Sequence, residues 1–405
     1  MKYSIVLGSQ FGDEGKGSFT NWLCEESISQ DYNPIVIRFN GGHQAGHTVL
    51  HNGIRHTFSS FGSATLQNVP TFWAEYCTVY PIAMLNEWKV LKSLNVKPDI
   101  YFDPLCPVTT PYDVFANIDL ESQTKHGSVG VGFGTTIQRH ESYYKLYFQD
   151  LFNKTVLKAK MNNIKNYYKN IIKIFPSDIL SDWYTAIDIL ISDGIISKSK
   201  IGFNAIRQSA NTHYIFEGAQ GILLDMDFGF FPNVTRSNTT SKNAFEFMRK
   251  HNLLQEQSTS SIDGEIFYIT RPYQTRHGMG FMSNRDLPEP KLINNENEIN
   301  VDTSFQGIFR KSVLDLDLLS YAIECDDYFI TMDYPPTKNL VITCLDQIGS
   351  EIDFTLKGSF HRKDIETFKF NINQLTGISQ FMLGYQEGKF KHSICQPYFR
   401  QSISL

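Results

Sequence analysis

The stretch Gly8–Thr20, GSQFGDEGKGSFT, follows the apolar run YSIVL almost at the start of the chain, and its reading decides the rest. It has the makings of a phosphate loop with its own spacing. A standard P-loop places four residues between its first glycine and Gly-Lys-Ser/Thr. Here six residues separate Gly8 from Gly15, and Gly17 stands between Lys16 and Ser18. Glycines let backbone N–H groups approach an anion closely, and the helix N-terminus that follows adds partial positive charge. Lys16 adds a formal one. The same loop carries two carboxylates, Asp13 and Glu14, where repulsion of a polyphosphate would be greatest. A loop that only held phosphate would avoid them, so Asp13 reads as a Mg²⁺ ligand, a base, or both.

Working outward, YSIVLG, the glycine loop and SFTNWLCEES spell strand, loop and helix, with Phe19, Trp22 and Leu23 at helical spacing. PIVIRF (Pro34–Phe39) is a second continuous apolar run, as expected of a parallel strand buried on both faces. It runs into NGGHQAGHTVL. HYIFEGAQG and, from Glu265, EIFYITRPYQTRHGMGF repeat the same shape: a strand that ends in glycines and polar residues. In open α/β sheets ligands sit at the carboxyl ends of strands, so these loops converge on one crevice. The fold class is therefore α/β. Asn153–Phe175 has apolar residues three to four apart and a lysine-rich face, the pattern of a core-packed helix with a solvated side. Asn294–Asn300 and Glu256–Glu265 are polar loops, and no repeat or long linker divides the chain.

Composition bounds the function. With 41% apolar and 20% charged residues, 31 Phe and 20 Tyr, the 405-residue chain can bury a sizeable core. A net charge of -5 gives no general attraction to nucleic acid or anionic membranes and favours a small-molecule partner. The six cysteines form no C-x-x-C pair, which speaks against a zinc site or a disulfide framework and for a reducing, cytoplasmic location. The first apolar run is too short for a signal peptide or a membrane span.

GGHQAGHT (Gly41–Thr48) sets His43 and His47 on a second glycine-rich turn after a buried strand, a position suited to a general acid or an oxyanion stabiliser. The His-x₃-His spacing lacks the helical frame that zinc motifs use. At this point four stretches match one family in order. GSQFGDEGKG resembles the adenylosuccinate synthetase signature G-x-Q-W-G-D-E-G-K-G, and GGHQAGHTV resembles its second, G-G-x-N-A-G-H-T. FEGAQGILLDMDFGFFPNVTRSNTT and RPYQTRHGMG are similar to a third and a fourth.

The resemblance implies one large domain over residues 1–405, built round a mostly parallel sheet with helices on both faces, and a homodimer. It implies a ligase that joins L-aspartate to the 6-position of a purine nucleoside monophosphate, IMP or GMP/dGMP, through a 6-phosphoryl intermediate driven by GTP or ATP with Mg²⁺. Asp13 then matches the base and a Mg²⁺ ligand, the Gly46 carbonyl the second protein ligand, and His47 the donor to the transferring phosphoryl group. Gly12, Glu14, Gly15, Lys16, Gly17 and Ser18 match the loop around the polyphosphate. Gln44 (where the family has Asn), Gln220 and Thr235 match positions that hold the monophosphate nucleotide. Within HGSVGVGFG, Ser128 takes the phosphate contact of a family threonine, and a little downstream Arg139 is the candidate to reach a neighbouring subunit's site. In VDTSFQGIFRKSVLD, Thr303, Ser304 and Arg310 stand where the family's arginine-rich amino-acid loop lies; in FITMDYPP, Asp333 stands where T-K-L-D selects guanine. The alternative is a nucleotide-binding sensor on the same fold. Asp13 and His47 together speak for catalysis, since binding alone needs no base and acid poised together.

Overall fold

The computed structural model describes residues 1–124, 130–254, 262–293, 307–330, 335–386 and 388–395. Among them the strands are β1 (Lys2–Gly8), β2 (Asn33–Arg38), β3 (His47–His51), β4 (Ile54–Phe58), β5 (Thr71–Trp73), β6 (Ile100–Phe102), β7 (Thr212–Gly221), β8 (Asp263–Thr270), β9 (Tyr273–His277), β10 (Phe309–Asp315), β11 (Thr337–Ile342), β12 (Glu351–Leu356), β13 (Ser359–Asp364), β14 (Gln380–Gln386) and β15 (Lys389–Ile394). The helices are α1 (Lys16–Ser29), α2 (Pro81–Ser93), α3 (Pro111–Thr124), α4 (Phe133–Glu141), α5 (Lys154–Tyr168), α6 (Ser177–Ser192), α7 (Lys242–Lys250), α8 (Leu316–Asp327) and α9 (Ile365–Thr376).

Nine strands form the central sheet in the order β15-β14-β11-β8-β1-β7-β2-β5-β6. Every pairing in it is parallel except β14 with β15 at the edge. β1 is central because all its neighbours bury it: alternate residues Tyr3, Ile5 and Leu7 face one core, and Val6 faces the other. On the first face lie apolar side chains of α7, α8 and α9, among them Phe245, Leu319 and Phe368. On the second, Phe19, Leu23 and Cys24 of α1 pack on Val6, Val36 and Ile215. The continuous apolar runs read from the sequence are the two-sided strands this requires.

A third cluster gathers α2, α3, α5 and α6 beside the short strands β5 and β6. α5 presents Leu157, Met161, Ile164 and Tyr168 to it at helical spacing and turns its lysines outward. It starts after Asn153, whose side chain caps the Val156 N–H, and closes at Tyr168, seven residues before the expected end at Phe175. A second sheet, β13-β12-β10-β9, and the β3-β4 hairpin complete the architecture. The consequence for function is local. The carboxyl ends of β1, β2, β7, β8 and β11 release the loops at 8–16, 39–47, 221, 271 and 343 along one edge, with β1 in the middle.

Candidate active site

The loop after β1 wraps one buried carboxylate. Glu14 Oε1 accepts the backbone N–H of Gln10 at 3.0 Å and of Gly12 at 2.8 Å, and Oε2 pairs with Lys16 Nζ at 2.9 Å. Lys16 Nζ also donates to the Gly12 carbonyl at 2.5 Å. The charge that looked repulsive is thus turned inward, neutralised and used to shape the loop. Gly15 caps α1 at φ 91°, a left-handed backbone that glycine adopts without strain. At Gly17 the reason for glycine is space, since a Cβ there would lie 2.6 Å from the His47 Cβ.

Asp13, by contrast, points out. Its carboxylate is 31% exposed, 3.6 Å from His277 Nε2, and its backbone carbonyl accepts Arg271 Nε at 2.6 Å. Its recessed position raises its proton affinity against the opposing pull of His277 and Arg271. His47 closes the other side. Its Nδ1 lies 2.6 Å from Glu217 Oε1 on β7, and Glu217 also accepts the Ser63 backbone N–H at 3.2 Å and the Ser63 hydroxyl. Burial acts to raise the Glu217 pKa, but His47, Arg38 and the Ser63 hydroxyl outweigh it and hold the group at about 2. A carboxylate there makes Nδ1 the protonated nitrogen of His47 and leaves Nε2 to the cleft.

Gly12, Asp13, Gly15, Lys16, Gly17, Ser18, Gly46 and His47 line a single cleft of about 520 Å³. Its far wall is Thr343, Cys344, Asp346 and Gln347 after β11, with Gly384, Gln386 and Gly388 from the β14–β15 hairpin. Thr343 Oγ1 donates to the Glu14 carbonyl at 2.8 Å, which ties that wall to the phosphate loop. The donor set for Mg²⁺ fits: the open Asp13 carboxylate and the exposed residue Gly46, whose carbonyl is also a hard oxygen, line one cleft. Among the described residues no three His, Cys, Asp or Glu side chains gather to hold a metal by themselves, so phosphate oxygens would complete the shell. A larger cavity, about 680 Å³, lies among Leu151, Leu157, Tyr184, Ile187 and Ile191 and contains none of these groups.

Beside the cleft, the loop carrying Gln44 meets the end of β7. Asn40 Oδ1 accepts the Ala219 N–H at 2.6 Å, and the Gly41 N–H reaches Ser237 Oγ at 3.3 Å. Both polar atoms of the Gln44 amide are buried and bond no protein atom, as befits a group awaiting a ligand. Gln220 holds an unusual φ of 68° with its backbone against Gly12, and Thr235 sits half-buried on the adjoining loop, donating its N–H to Leu224. His43 packs on Tyr80 at 5.0 Å, and burial lowers its pKa to about 4. Arg310 on β10 stands directly across from Arg276 on β9; its Nη2 donates to the Gly280 carbonyl at 3.1 Å, and its buried Nε bonds no protein atom.

The reading of Arg139 is corrected. It lies fully buried on α4, with Nε 2.7 Å from Asp113 Oδ1, Nη2 on Asp113 and the Val108 carbonyl, and Nη1 on the Tyr144 carbonyl. Bound on every nitrogen within its own chain, it reaches no neighbour. Ser128, Thr303, Ser304 and Asp333 lie outside the described residues. Two groups at the site were missed from the sequence: Glu217, which holds His47, and Asp346, which lines the cleft. For the last the signal was present, because Thr343–Asp346 reads T-C-L-D, one residue from T-K-L-D.

Residues 5–391 match the adenylosuccinate synthetase family across nearly the whole chain. This chain belongs to the adenylosuccinate synthetase family. Its similarity to the adenylosuccinate synthetase of Actinobacillus succinogenes is 32% identity over 250 residues, covering 59% of this chain and 56% of that protein. With the Bordetella avium enzyme it is 30% over 291 residues, covering 69% and 64%. The chain thus spans a little over half the length of the curated relatives it matches. The fold is shared with the fully ligated adenylosuccinate synthetase of Plasmodium falciparum at a TM-score of 0.68 and 19% identity, over 96% of this chain and 99% of that one. It is shared less closely with the succinoaminodeoxyadenylate synthetase of cyanophage S-2L, solved with dGMP and dATP, at a TM-score of 0.55 and 12% identity, over 96% of this chain and 95% of that one. Among the described residues no helix is long and apolar enough to cross a membrane.

Proposed function

We propose that this member of the adenylosuccinate synthetase family is a ligase that joins L-aspartate to the 6-position of a 6-oxopurine nucleoside monophosphate, with a nucleoside triphosphate as the driving reagent. The observation that carries this reading is that Asp13 of the phosphate loop and His47 of the second glycine-rich turn line one cleft. The 6-oxo group is a poor leaving group. Asp13 is placed to take the N1 proton, so that the 6-oxygen gains charge and attacks the γ-phosphorus. His47 then offsets charge on the transferring phosphoryl group as the imidazolium, donating from Nε2–H while Glu217 accepts Nδ1–H from behind and favours the charged ring. The aspartate amine adds at C6, and the 6-oxygen departs as phosphate. Mg²⁺ held by the Asp13 carboxylate and the Gly46 carbonyl would neutralise triphosphate charge.

Lys16 and the N–H groups of Gly12–Ser18 hold the triphosphate at the α1 N-terminus. Gln44, Gln220 and Thr235 hold the monophosphate nucleotide, and Arg310, with its unbonded Nε, takes a carboxylate of aspartate. GTP is the preferred donor, because Asp346 lines the cleft and a carboxylate accepts from guanine N1–H and the 2-amino group together but has no match on adenine. A homodimer belongs to the same reading, with a residue other than Arg139 at its shared site.

The test is phosphate release with Mg²⁺, L-aspartate and each pairing of IMP, GMP or dGMP with GTP or ATP, the products identified by mass. Turnover with GTP in at least one pairing, with aspartate incorporated, is the expected result. Silence in every pairing while nucleotides still bind would replace the ligase by a nucleotide-binding sensor.

A further inference from the structure

The larger cavity, about 680 Å³, lies between α5 and α6 and shares no lining residue with the cleft of the phosphate loop. Helical spacing builds it. Tyr184, Ile187, Asp188 and Ile191 stand at i, i+3, i+4 and i+7 of α6, one stripe down the helix. Ile187 belongs to the core beneath, whereas Ile191, one turn further, is 37% exposed. The apolar stripe therefore continues past the point where packing needs it. Leu151, from the turn before α5, and Leu157, from its first turns, reach the same space, and both are buried core members, so the cavity has an apolar floor.

Its mouth is cationic. Lys154 and Lys158, one turn apart on α5, and Lys198 after α6 line it and are exposed, with Asp188 the one acid among the lining residues. The neighbouring Lys160 and Lys200 are paired, with Asp150 and Asp99, but no ion pair engages Lys154, Lys158 or Lys198 among the described residues. Three cations to one anion form a local positive patch on a chain whose net charge is -5. Small-molecule sites are concave, mostly apolar and on the order of 300–1,000 Å³, with a few polar groups that fix orientation. This cavity has that character, and its polarity is divided: apolar within, positive at the rim.

We propose that the cavity binds a fatty carboxylate, the chain lying on Leu157, Ile187 and Ile191 and the head group among the three ammonium groups. The lysine stems cover the upper part of the chain while their heads reach the carboxylate. Other occupants fit less well. A purine ring needs hydrogen-bond partners along its edge, which an apolar floor does not supply. A neutral apolar molecule gains nothing from the lysines. A second copy of the chain, meeting this face across a two-fold axis, would set like charges against each other.

The experiment is calorimetric titration of the full chain with decanoate below its micellar concentration, with 1-decanol, decyltrimethylammonium and ATP as comparisons. Wild type is set beside Lys158→Glu/Lys198→Glu, which reverses two rim charges, and Ile191→Trp, which fills the cavity. All three positions are exposed, and melting temperatures and light-scattering masses check fold and assembly. The expected result is one decanoate bound per chain, about tenfold or more tighter than the alcohol or the decyl cation, with a loss of about tenfold or more in each variant, the scale of one charge-assisted contact. Decanoate should also raise the melting temperature of wild type and leave that of both variants nearly unmoved. Silence with decanoate, equal binding of the decyl cation, displacement of decanoate by ATP, or undiminished affinity in both variants would overturn the proposal. So would a mass that halves in Ile191→Trp, which would make this face a contact between copies of the chain.

Discussion

The two walls of the cleft are built differently. On the phosphate side two buried charged pairs are made within the protein, Glu14 with Lys16 and Glu217 with His47, and Asp13 alone of the loop's charges points into the cleft. On the opposite side, the Thr343–Gln347 turn and the β14–β15 hairpin present Asp346, Cys344 and glycine backbone to the cleft, and outside it Arg310 keeps a buried Nε unbonded. The first wall is fixed before any ligand arrives; the second is left for ligands to complete. Preorganised charge is what phosphoryl transfer needs, because reorientation at the moment of reaction would cost rate. Base and amino-acid recognition need only complementarity. The family's chemistry and its specificity thus reside in walls that can vary separately.

That contrast can be broken most sharply at Asp13, whose partly exposed carboxylate lies 3.6 Å from His277 and faces the cleft. Asp13→Ala should lower kcat by about three orders of magnitude or more, about 4 kcal/mol of barrier, with the melting temperature and calorimetric nucleotide affinity in the absence of Mg²⁺ close to wild type. A large loss of fold stability would contradict the division. Glu14→Gln is expected to fail in the opposite way. With side-chain exposures of 1% and 2%, Glu14 and Lys16 form a buried pair; removing one partner should cost on the order of 3 kcal/mol in denaturant unfolding. An unchanged unfolding midpoint would show that the loop does not depend on it.

A third test lies beneath α1, where His213 sits between Ser4 Oγ at 2.9 Å and Ser27 Oγ at 2.5 Å. Burial, helped by Lys2, depresses its pKa to about 3. The folded chain therefore prefers the neutral ring, so its contribution is complete above the unfolded pKa near 6.5 and is lost as pH falls toward 3. Between pH 7.5 and pH 5 this should remove on the order of 2 kcal/mol, and His213→Gln should flatten that part of the stability curve. An identical slope in the variant would assign acid sensitivity elsewhere. The smallest effect belongs to the adaptable wall. Asp346→Asn should cut the preference for GTP over ATP by about tenfold, the scale of one charge-assisted hydrogen bond, with little change in stability; competition between the two triphosphates in the phosphate-release assay measures it.

Much of the fixed wall was legible because its information is local. Strand, glycine loop and helix stand within Lys2–Ser29, and the GGHQAGHT turn follows its own buried strand directly. Glu217 was visible only as a lone acid inside the apolar run YIFEGA. Its role depends on His47, 170 positions away. Arg139 shows the limit from the other side. The resemblance offered it only by its place a little downstream of the glycines, which says nothing of Asp113, and orientation decides whether an arginine anchors its own core or reaches outward. At T-C-L-D one substitution, Cys344 for lysine, hid the segment, and a similar T-M-D twelve residues earlier drew the reading. What separates them is that Thr343 follows β11 directly at the sheet's carboxyl edge, which only the strand register makes plain.

The Thr343 hydroxyl reaches two carbonyls, that of Glu14 at 2.8 Å and that of Thr270 at 3.2 Å. On the proposed reading it is a hinge pin between the turn assigned to the base and the loop assigned to the phosphates. A mismatched base that pushed on Asp346 would then transmit its misfit through this pin to the floor under the γ-phosphate. The wrong triphosphate would then be penalised twice, once in how tightly it is held and again in how well its terminal phosphate is aimed, so the protein could reject it in turnover even at concentrations that fill the cleft.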